Sequence, residues 1–306
     1  MLRVLAVLFA IIALILVASY NPLLAAAPND DDTPGVTRTE PTPVAPGLPP
    51  QGQASRALWR ELPLEALSPD AVEYIGQRAG SVGVAVIVPE YHTIYTTNGH
   101  ERFHLASVAK VLIMLTLLDK AAAAGRDLTA EETAHLEPMI VLSSNDDADA
   151  LWSTVGGADA VKSYLAAHAL RETAPDEDGF WGETEASPED VAQLLAGLIE
   201  NEGIDEAYRS VAVDLMLKAV DWSGGWGAVS GIPDDPSVKV YSGAKDGWYS
   251  ADEGWWVNSA GFVLPDHAKP PYALAILTNG QPSVEYGAQT VHDIAAQIHQ
   301  QMLAQR

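Results

Sequence analysis

A serine and a lysine stand three residues apart, at Ser107 and Lys110, just before a strongly apolar run. On a helix this spacing places the hydroxyl and the amine on one face. A lysine buried among apolar groups tends to lose its proton, because its charged form is poorly solvated there. The neutral amine can then take the proton of the serine and create a nucleophile without histidine. The alternative is a helix-capping serine followed by a lysine that reaches solvent.

The element that would position this pair is a helix over residues 106–125. Between Val111 and Leu118 only Thr116 is polar, so a helix here is apolar on nearly every side. Such a helix belongs inside a folded domain, and the apolar run is too short to span a bilayer. The pattern therefore predicts a central buried helix with Ser107 and Lys110 at its N-terminal end.

A second polar cluster, Ser143-Ser144-Asn145, precedes the next helix-like segment. A hydroxyl and a carboxamide two residues apart in a loop can point into one cleft. There Ser143 could relay a proton, and the amide of Asn145 could hold a substrate carbonyl. The alternative is that these residues only cap the helix that follows them.

A third cluster, Lys245-Asp246-Gly247-Trp248, follows a strand-like segment at 237–241 and a Ser-Gly turn. A lysine on an inner sheet edge supplies positive potential, and Gly247 lets the backbone approach a ligand closely. The alternative is a lysine in a surface turn. The eight tryptophans of the chain are interpreted as packing residues rather than as a binding platform.

Strand-like and helical patterns alternate along the chain in blocks. We expect strands at 82–88, 92–97, 237–241, 255–264 and 272–278. We expect helices at 62–79, with a start signal at Ser68, and at 285–304, and helical structure from 106 to about 220 with breaks at 156–157 and 173–182. Strands at both ends with helices between them predict one α/β (α+β) domain. Its antiparallel sheet would be closed by distant parts of the chain and flanked by helices, with a helical lobe beside it.

The composition limits the possible partners. The chain has 306 residues, and 17 basic against 41 acidic side chains give a net charge of −24. This charge argues against nucleic acid as a partner, because nucleic-acid binding depends on neutralising phosphates with Lys and Arg. The sequence contains no cysteine, which excludes disulfides, thiolate chemistry, cysteine-based zinc sites and a lipid attached to a cysteine of these residues.

Residues 1–27 are built like an export signal or a membrane anchor. Arg3 precedes an unbroken apolar run, and small residues precede Pro28. Because Pro28 disfavours cleavage directly before it, an uncleaved anchor stays open beside a cleaved signal peptide. Either one would place the rest of the chain outside the cytoplasm. Residues 28–56 contain seven prolines and are predicted to be a disordered or extended linker, which leaves 57–306 as the folded domain.

In this order and on these elements, the three clusters resemble the signatures of the penicillin-recognising serine enzymes, the class A β-lactamases and penicillin-binding proteins. That family carries Ser-x-x-Lys, Ser-Asp-Asn and Lys-Thr-Gly. The resemblance runs from about residue 79 to the C-terminus. Further segments that look like their family counterparts are 103–111, 143–151, 258–263 and 273–278.

The resemblance implies a β-lactamase/transpeptidase-like fold with a serine acyl-transfer site. Ser107 would attack a carbonyl and become acylated, and Lys110 would take its proton. Ser143 would pass a proton to the leaving nitrogen. Lys245 would lower the pKa of that hydroxyl and attract a substrate carboxylate, while Asn145 would hold an amide group of the substrate.

The resemblance also implies an oxyanion hole formed by the backbone N–H groups of Ser107 and Trp248, with Gly247 lining the substrate site. No metal or organic cofactor is needed, and the scattered histidines show no ligand spacing. The expected partner is a small-molecule or peptide substrate, and a monomer is expected. Trp-Gly at 181–182 and Lys-x-Gly-Trp at 245–248 look closest to an exported bacterial branch of β-lactamase-like serine hydrolases.

The chain departs from the family pattern at three places. Ser144 replaces the aspartate of Ser-Asp-Asn, which is a mild change. Asp246 replaces the Thr of Lys-Thr-Gly, and a carboxylate that faced the cleft would repel a substrate carboxylate. The loop at 171–179 lacks the Glu-x-x-Leu-Asn element whose glutamate activates the deacylating water. Glu172 or Glu177 could deputise, although solvated loop carboxylates are the favoured interpretation, so we expect acylation without fast turnover of β-lactams.

Three functions remain open from the sequence. The first is a β-lactamase-like serine hydrolase that acts on an amide, an ester or a lactam. The second is a D-Ala-D-Ala carboxypeptidase or transpeptidase that acts on cell-wall peptide by the same mechanism. The third is a non-catalytic module that keeps the fold and binds peptidoglycan or β-lactams.

Overall fold

The protein is described by a computed structural model for residues 59–176, 178–200, 205–222, 226–234, 238–266 and 269–304. The predicted export segment 1–27 and the predicted linker 28–56 lie outside these residues, so both stay predictions, as does the domain boundary at 57. Among the described helices, none combines the length and the apolar character that crossing a membrane requires.

A six-stranded sheet forms the centre of the fold. Its strands are β1 (Arg60–Pro63), β2 (Ser81–Val88), β3 (Thr93–Thr97), β6 (Val240–Ala251), β7 (Gly254–Pro265) and β8 (Tyr272–Asn279), and a separate two-stranded sheet contains β4 (Phe103–His104) and β5 (Glu185–Ala186). The order across the large sheet is β1-β3-β2-β8-β7-β6. All of its neighbours are antiparallel except β1 and β3, which are parallel. Pairing of β2 with β8 joins the two ends of the domain, so the predicted sheet closed by distant parts of the chain is confirmed.

Eight helices surround the sheet within the described residues. They are α1 (Pro69–Gly76), α2 (Ala109–Ala123), α3 (Ala130–Val141), α4 (Asn145–Val155), α5 (Gly157–Ala167), α6 (Pro188–Glu200), α7 (Glu206–Trp222) and α8 (Val284–Ala304). β2 is buried on both faces: Ala85 and Ile87 belong to the core that contains α2, whereas Val84 and Val86 belong to the core that contains α8. This alternation is the period of two that a strand imposes.

The predicted central helix is confirmed. Of the 15 residues of α2, 11 are buried, including Lys110 and Thr116. An apolar surface of this extent is removed from water only when helices and sheet cover the helix from every side. α2 therefore gives the residues at its N-terminal end a rigid base inside the domain.

The prediction of a single helix over 62–79 is wrong in its first half. Residues 60–63 form β1 beside β3, a 3₁₀ turn follows, and α1 begins only at Pro69. The start signal was placed correctly, because the side chain of Ser68 accepts a hydrogen bond from the backbone N–H of Ala71. Parallel pairing with a strand more than 30 residues later in the chain is a tertiary contact that the local pattern does not contain.

The turn expected at Ser242-Gly243 is also absent, because β6 runs through it from Val240 to Ala251. Gly243 has a packing role instead. A Cβ atom there would lie 2.7 Å from the ring of Phe262 and 3.0 Å from the backbone of Met216 in α7. The glycine thus allows β6 to pass close beneath a helix, and the cluster 245–248 lies within the edge strand of the sheet.

Candidate active site

Ser107 lies in a 3₁₀ turn, Ala106–Val108, that runs directly into α2. The residue before it, Ala106, has a φ of 49°, in the left-handed region. A residue with a side chain pays about 1–2 kcal/mol for this conformation. Ser143 shares this feature with a φ of 56°. Strained residues of this kind persist where the surrounding structure holds a functional group in one position.

Lys110 is fully buried, with an exposed fraction of 0%. Its ammonium nitrogen lies 3.1 Å from Ser107 Oγ and 3.2 Å from Ser143 Oγ, so it bridges the two hydroxyls. It also donates to the backbone oxygen of Ser143 at 2.6 Å and to Oδ1 of Asn145 at 2.8 Å. The alternative of a lysine that reaches solvent does not hold.

The surroundings of Lys110 favour its neutral form. Burial and the positive charge of Lys245 lower the pKa of Lys110 to about 7, against the opposing effect of Asp149. Near neutral pH, a large fraction of the amine is therefore unprotonated. A neutral amine at 3.1 Å from a hydroxyl has the position of a proton acceptor.

The cluster at 143–145 divides its two possible roles between neighbouring residues. Ser144 caps α4, because its side chain accepts a hydrogen bond from the backbone N–H of Asp147. Ser143 lies outside the cap, and its hydroxyl accepts from both Lys110 and Lys245. Asn145, the first residue of α4, is exposed but directs its carbonyl oxygen to Lys110. The capping alternative is thus correct for Ser144 alone.

Lys245 is 5% exposed and projects from β6 toward the same hydroxyl. Its Nζ donates to Ser143 Oγ at 2.9 Å and to the backbone oxygen of Asp246 at 2.8 Å. Burial lowers the pKa of Lys245 to about 8. A strand from the C-terminal part of the chain thus supplies the second cation beside Ser143, and the surface-turn alternative does not hold.

Gly247 marks the closest approach between β6 and the turn that carries Ser107. A Cβ atom at this position would lie 2.6 Å from the backbone nitrogen of Ser107 and 2.8 Å from that of Val108. No real Cβ is found at such distances from backbone atoms. Only glycine therefore allows the edge strand to reach the N-terminal end of α2.

Gly247→Ala is expected to lower the rate of acylation of Ser107 by about 10²–10³-fold, because the new methyl group displaces the backbone donors beside that serine. The rate of adduct formation with a labelled penicillin would measure this effect. Gly182→Ala is the matched control, since a Cβ there meets nothing within 4 Å. A wild-type rate in Gly247→Ala would contradict the close approach.

Asp246 projects from the face of β6 opposite to Lys245. Its carboxylate is 6% exposed and accepts a hydrogen bond from the Ser259 hydroxyl at 2.5 Å. Ser259 in turn accepts from the backbone N–H of Ala228 at 2.6 Å. Burial raises the pKa of Asp246 to about 6. Asp246 is nevertheless among the residues that line a small cavity with Ser143 and Lys245 at this edge of the sheet, so it belongs to the site region.

The tryptophans mostly agree with their interpretation as packing residues. Five of them are buried or pack against the two cores: Trp59, Trp152, Trp181, Trp226 and Trp256. Trp248 differs, because 46% of it is exposed and its ring lies 5.9 Å from that of Trp226. The exposed ring of Trp248, near Lys245 and with the partly buried Trp226 beside it, is available for a ligand.

The segment that carries the deacylating glutamate in class A β-lactamases ends, in this chain, with a tryptophan at the site. The ring of Trp181 lies 4.8 Å from Lys110 Nζ, and its Nε1 donates to Asp149 Oδ1 at 2.7 Å. Sequence reasoning noted Trp181 as a family mark but assigned it no role, and it missed Asp149. The signal available was the position of Asp149 one helical turn after Asn145, on the same face of α4.

Of the two proposed substitutes for that glutamate, the structure describes only Glu172, whose carboxylate contacts a histidine instead. The Glu172 carboxylate binds His100 Nδ1 at 3.1 Å, and among the described residues it makes no hydrogen bond to Ser107 or Lys110. Glu177 lies outside the described residues. The contact of Glu172 with His100 therefore agrees with the favoured interpretation of Glu172 as a loop carboxylate without a role in deacylation.

His100 binds three carboxylates from separate parts of the chain. Its Nε2 lies 3.2 Å from Glu61 and 3.6 Å from Glu189, while Nδ1 contacts Glu172. The hydrogen bond that His100 donates to Glu172 raises the pKa of His100, against the effect of its partial burial. Glu61, His100 and Glu189 are also close enough together to hold a metal ion, a grouping that sequence spacing did not indicate. With carboxylates at both ring nitrogens, the cluster favours the protonated form of His100, which pairs with each of them.

The fold is of the β-lactamase/transpeptidase type, and within it Ser107, Lys110 and Ser143 form a bridged Ser-Lys-Ser arrangement. Residues 123–302 match the model of the beta-lactamase enzyme family, and this match covers more than half of the chain. The protein belongs to this family. Ser107 and Lys110 precede the matched residues.

Solved structures with the same fold include PBP-A, with a TM-score of 0.67 at 16% identity over 78% of this chain and 97% of that one. They also include a β-lactamase from Sphaerobacter thermophilus, with a TM-score of 0.66 at 20% identity over 79% and 99% of the two chains. At these identities the likeness shows the fold alone.

A curated relative is the "Putative lipoprotein LppW" of Mycobacterium tuberculosis, which is 27% identical over 200 residues. The match covers 64% of this chain and 63% of the mycobacterial protein, so the chain spans less than two thirds of that relative.

Proposed function

We propose that the protein is a serine acyl-transfer enzyme that opens a β-lactam, or a related amide or ester, with Ser107 as its nucleophile. The observation that carries this proposal is the fully buried Lys110, whose Nζ lies 3.1 Å from one serine hydroxyl and 3.2 Å from another. A structural lysine gains nothing from burial beside two hydroxyls and a second cation. A lysine that shuttles protons requires this arrangement.

The proton transfers balance within this arrangement. Lys110 takes the hydroxyl proton of Ser107 while Ser107 Oγ bonds to the carbonyl carbon of the substrate. When the bond to the leaving nitrogen breaks, Ser143 gives its proton to that nitrogen. Lys110, at 3.2 Å from Ser143 Oγ, then returns the first proton to Ser143. Between these two transfers Ser143 is an alkoxide, and Lys245, at 2.9 Å from its oxygen, stabilises this negative charge.

The other proposed roles concern the substrate. The negative carbonyl oxygen would accept hydrogen bonds from the backbone N–H groups of Ser107 and Trp248, each worth about 10²–10³ in rate. The close approach at Gly247 supports this, because it brings β6 against the backbone of Ser107. Asn145, exposed at the start of α4, would hold an amide group of the substrate.

Slow deacylation is expected for β-lactams. Hydrolysis of the acyl-enzyme needs a base that activates water, and among the described residues of the 171–181 segment it is the Trp181 ring that lies against Lys110. The mass of the intact protein is expected to increase by one whole penicillin and to stay increased for minutes or longer. Steady-state nitrocefin hydrolysis at about 10 per second or faster, an ordinary enzyme rate, would contradict this expectation.

Two further assays separate the other candidate functions. Release of D-alanine from a pentapeptide would favour a carboxypeptidase or transpeptidase of the cell wall. Absence of any adduct across a panel of penicillins and esters would favour a non-catalytic binding module. Under either enzyme function the proposed partner is a small molecule or peptide, not nucleic acid, and size-exclusion chromatography is expected to show a monomer.

We also propose that the enzyme acts outside the cytoplasm, secreted or anchored by residues 1–27. The apolar run after Arg3 supports this, and the relative LppW is named as a lipoprotein. Because these residues include no cysteine, attachment would depend on the apolar segment itself. Membrane fractionation of cells that express the full chain, with and without residues 1–27, tests the proposal.

A further inference from the structure

The small cavity beside Ser143 has an unusual charge for a site that would receive a carboxylate. Its volume is about 40 Å³, enough for one small polar group. Its polar and aromatic lining residues are Ser143, Lys245, Asp246, Trp226 and Trp248. The cation that would attract a carboxylate is therefore accompanied by a buried anion.

The cavity lies on the leaving-group side of the reaction, if the proposed function is right. Ser143 is the residue proposed to protonate the leaving atom, and it lines this space together with Lys245, which donates to its hydroxyl. The part of the substrate that departs after acylation must therefore lie next to Asp246. A carboxylate on that part would be repelled by Asp246.

The Asp246 carboxylate has the capacity to bind one more donor. One of its oxygens accepts from Ser259. Among the described residues the other carboxylate oxygen accepts no hydrogen bond. A small part of this oxygen remains accessible to solvent. A carboxylate that is 94% removed from solvent gains most from a ligand that brings a positive charge and an N–H group.

The Lys245 ammonium does not fill this position. Its hydrogen bonds go to Ser143 Oγ at 2.9 Å and to the backbone oxygen of Asp246 at 2.8 Å, not to the carboxylate. Lys245 and Asp246 are consecutive in a strand, so their side chains leave β6 on opposite faces. The two charges thus serve different neighbours.

Two tryptophans line the same cavity as Asp246, and its apolar lining residues are Ile140, Val141, Ala219 and Ala244. Trp226 and Trp248 lie with their ring centroids 5.9 Å apart and their planes inclined by 57°. Aromatic faces beside a carboxylate attract cations and offer nothing to an anion. We propose that this cavity binds a protonated amine on the leaving group of the substrate, with Asp246 as the residue that selects it.

This inference rests on the proposed acylation of Ser107, and a series of three thioesters tests it. They share one acyl group and differ only in the thiol: 2-(dimethylamino)ethanethiol is cationic, 3-methylbutanethiol is neutral and 3-mercaptopropionate is anionic. In each case Ser107 Oγ forms an ester with the acyl carbon, the carbon–sulfur bond breaks, and the thiol leaves with the proton from Ser143. A disulfide reagent reports the released thiol, and it cannot react with this cysteine-free chain.

We expect the wild type to release thiol from the cationic thioester about tenfold or more faster than from the anionic one. Each rate is first divided by the rate of the same thioester with hydroxide, which corrects for its intrinsic reactivity. Asp246→Asn is expected to remove this preference, because the amide keeps the shape but not the charge. Asp246→Thr is a second variant with the same expectation, and it should also be acylated faster by penicillins, which carry a carboxylate. Asp252→Asn, in the exposed turn after β6, is the control that keeps the preference.

The outcomes separate this inference from the proposed function. Equal rates for the three thioesters in the wild type, or a preference for the anion, would overturn the cation site while leaving the acylation of Ser107 intact. A preference that survives in a folded Asp246→Asn or Asp246→Thr would overturn the role of Asp246. Failure of the wild type to release thiol from all three would overturn the proposed function and this inference with it.

Discussion

Ser107→Ala is expected to abolish covalent labelling by penicillin, with a loss of about 10³-fold or more in the rate of adduct formation. Its hydroxyl is the proposed nucleophile and lies 3.1 Å from the Nζ of Lys110, the amine proposed to take its proton. Removing it leaves the amine without a nucleophile to activate. Intact-mass spectrometry after incubation with a labelled penicillin measures the effect directly.

Ser144→Ala is the matched control for this experiment. Ser144 is a serine of the same site region, but its side chain caps α4 by accepting from the backbone N–H of Asp147. Its removal should cost about 1 kcal/mol of stability and leave labelling in place. Labelling that survives in Ser107→Ala would show that another residue is the nucleophile.

Lys110→Ala is expected to lower the acylation rate by about 10³-fold, since deprotonation of Ser107 would then depend on water. The pH dependence gives a second test. The protonated amine cannot accept a proton, so the rate should follow the neutral fraction of Lys110. Because burial and Lys245 lower the pKa of Lys110 to about 7, acylation should fall about tenfold per pH unit below 7 and level off above it.

Lys120→Ala provides the control for the second prediction. Lys120 lies in the last turn of the same helix and donates to the backbone oxygen of Val155 at 2.6 Å, so it is also a hydrogen-bonded lysine of α2. Its replacement should leave the rate and the pH profile unchanged. An unaltered rate in a folded Lys110→Ala, or a profile without an inflection near pH 7, would count against Lys110 as the base.

The local pattern of the chain was sufficient for the elements that carry the site. The apolar run after Lys110 predicted a buried helix because burial on all sides leaves no polar stripe. The strand expected at 82–88 and the start signal at Ser68 were also correct, since both depend on neighbours within a few residues. The helix expected over 62–79 failed in its first half, because residues 60–63 pair with β3 instead.

The likeness to a family placed Ser143 and Lys245 in one site although 102 residues separate them. Residue types alone left each cluster with a structural alternative, and for Ser144 that alternative is correct. Which of two adjacent serines caps a helix depends on a single backbone angle, the positive φ of Ser143. Sequence alone does not determine that angle, because it is stabilised by contacts with α2 and β6.

From its sequence, the protein has a buried helix that begins with a serine and a lysine, a sheet built from both ends of the domain, and three ordered polar clusters. Only the tertiary structure decided what surrounds them: the Trp181 ring against Lys110, and the Asp246 carboxylate beside two indoles. The physical reason is distance along the chain. Trp181 and Asp149 are 32 residues apart, and the pKa of Lys110 depends on a charge carried by a strand that joins the site only after folding.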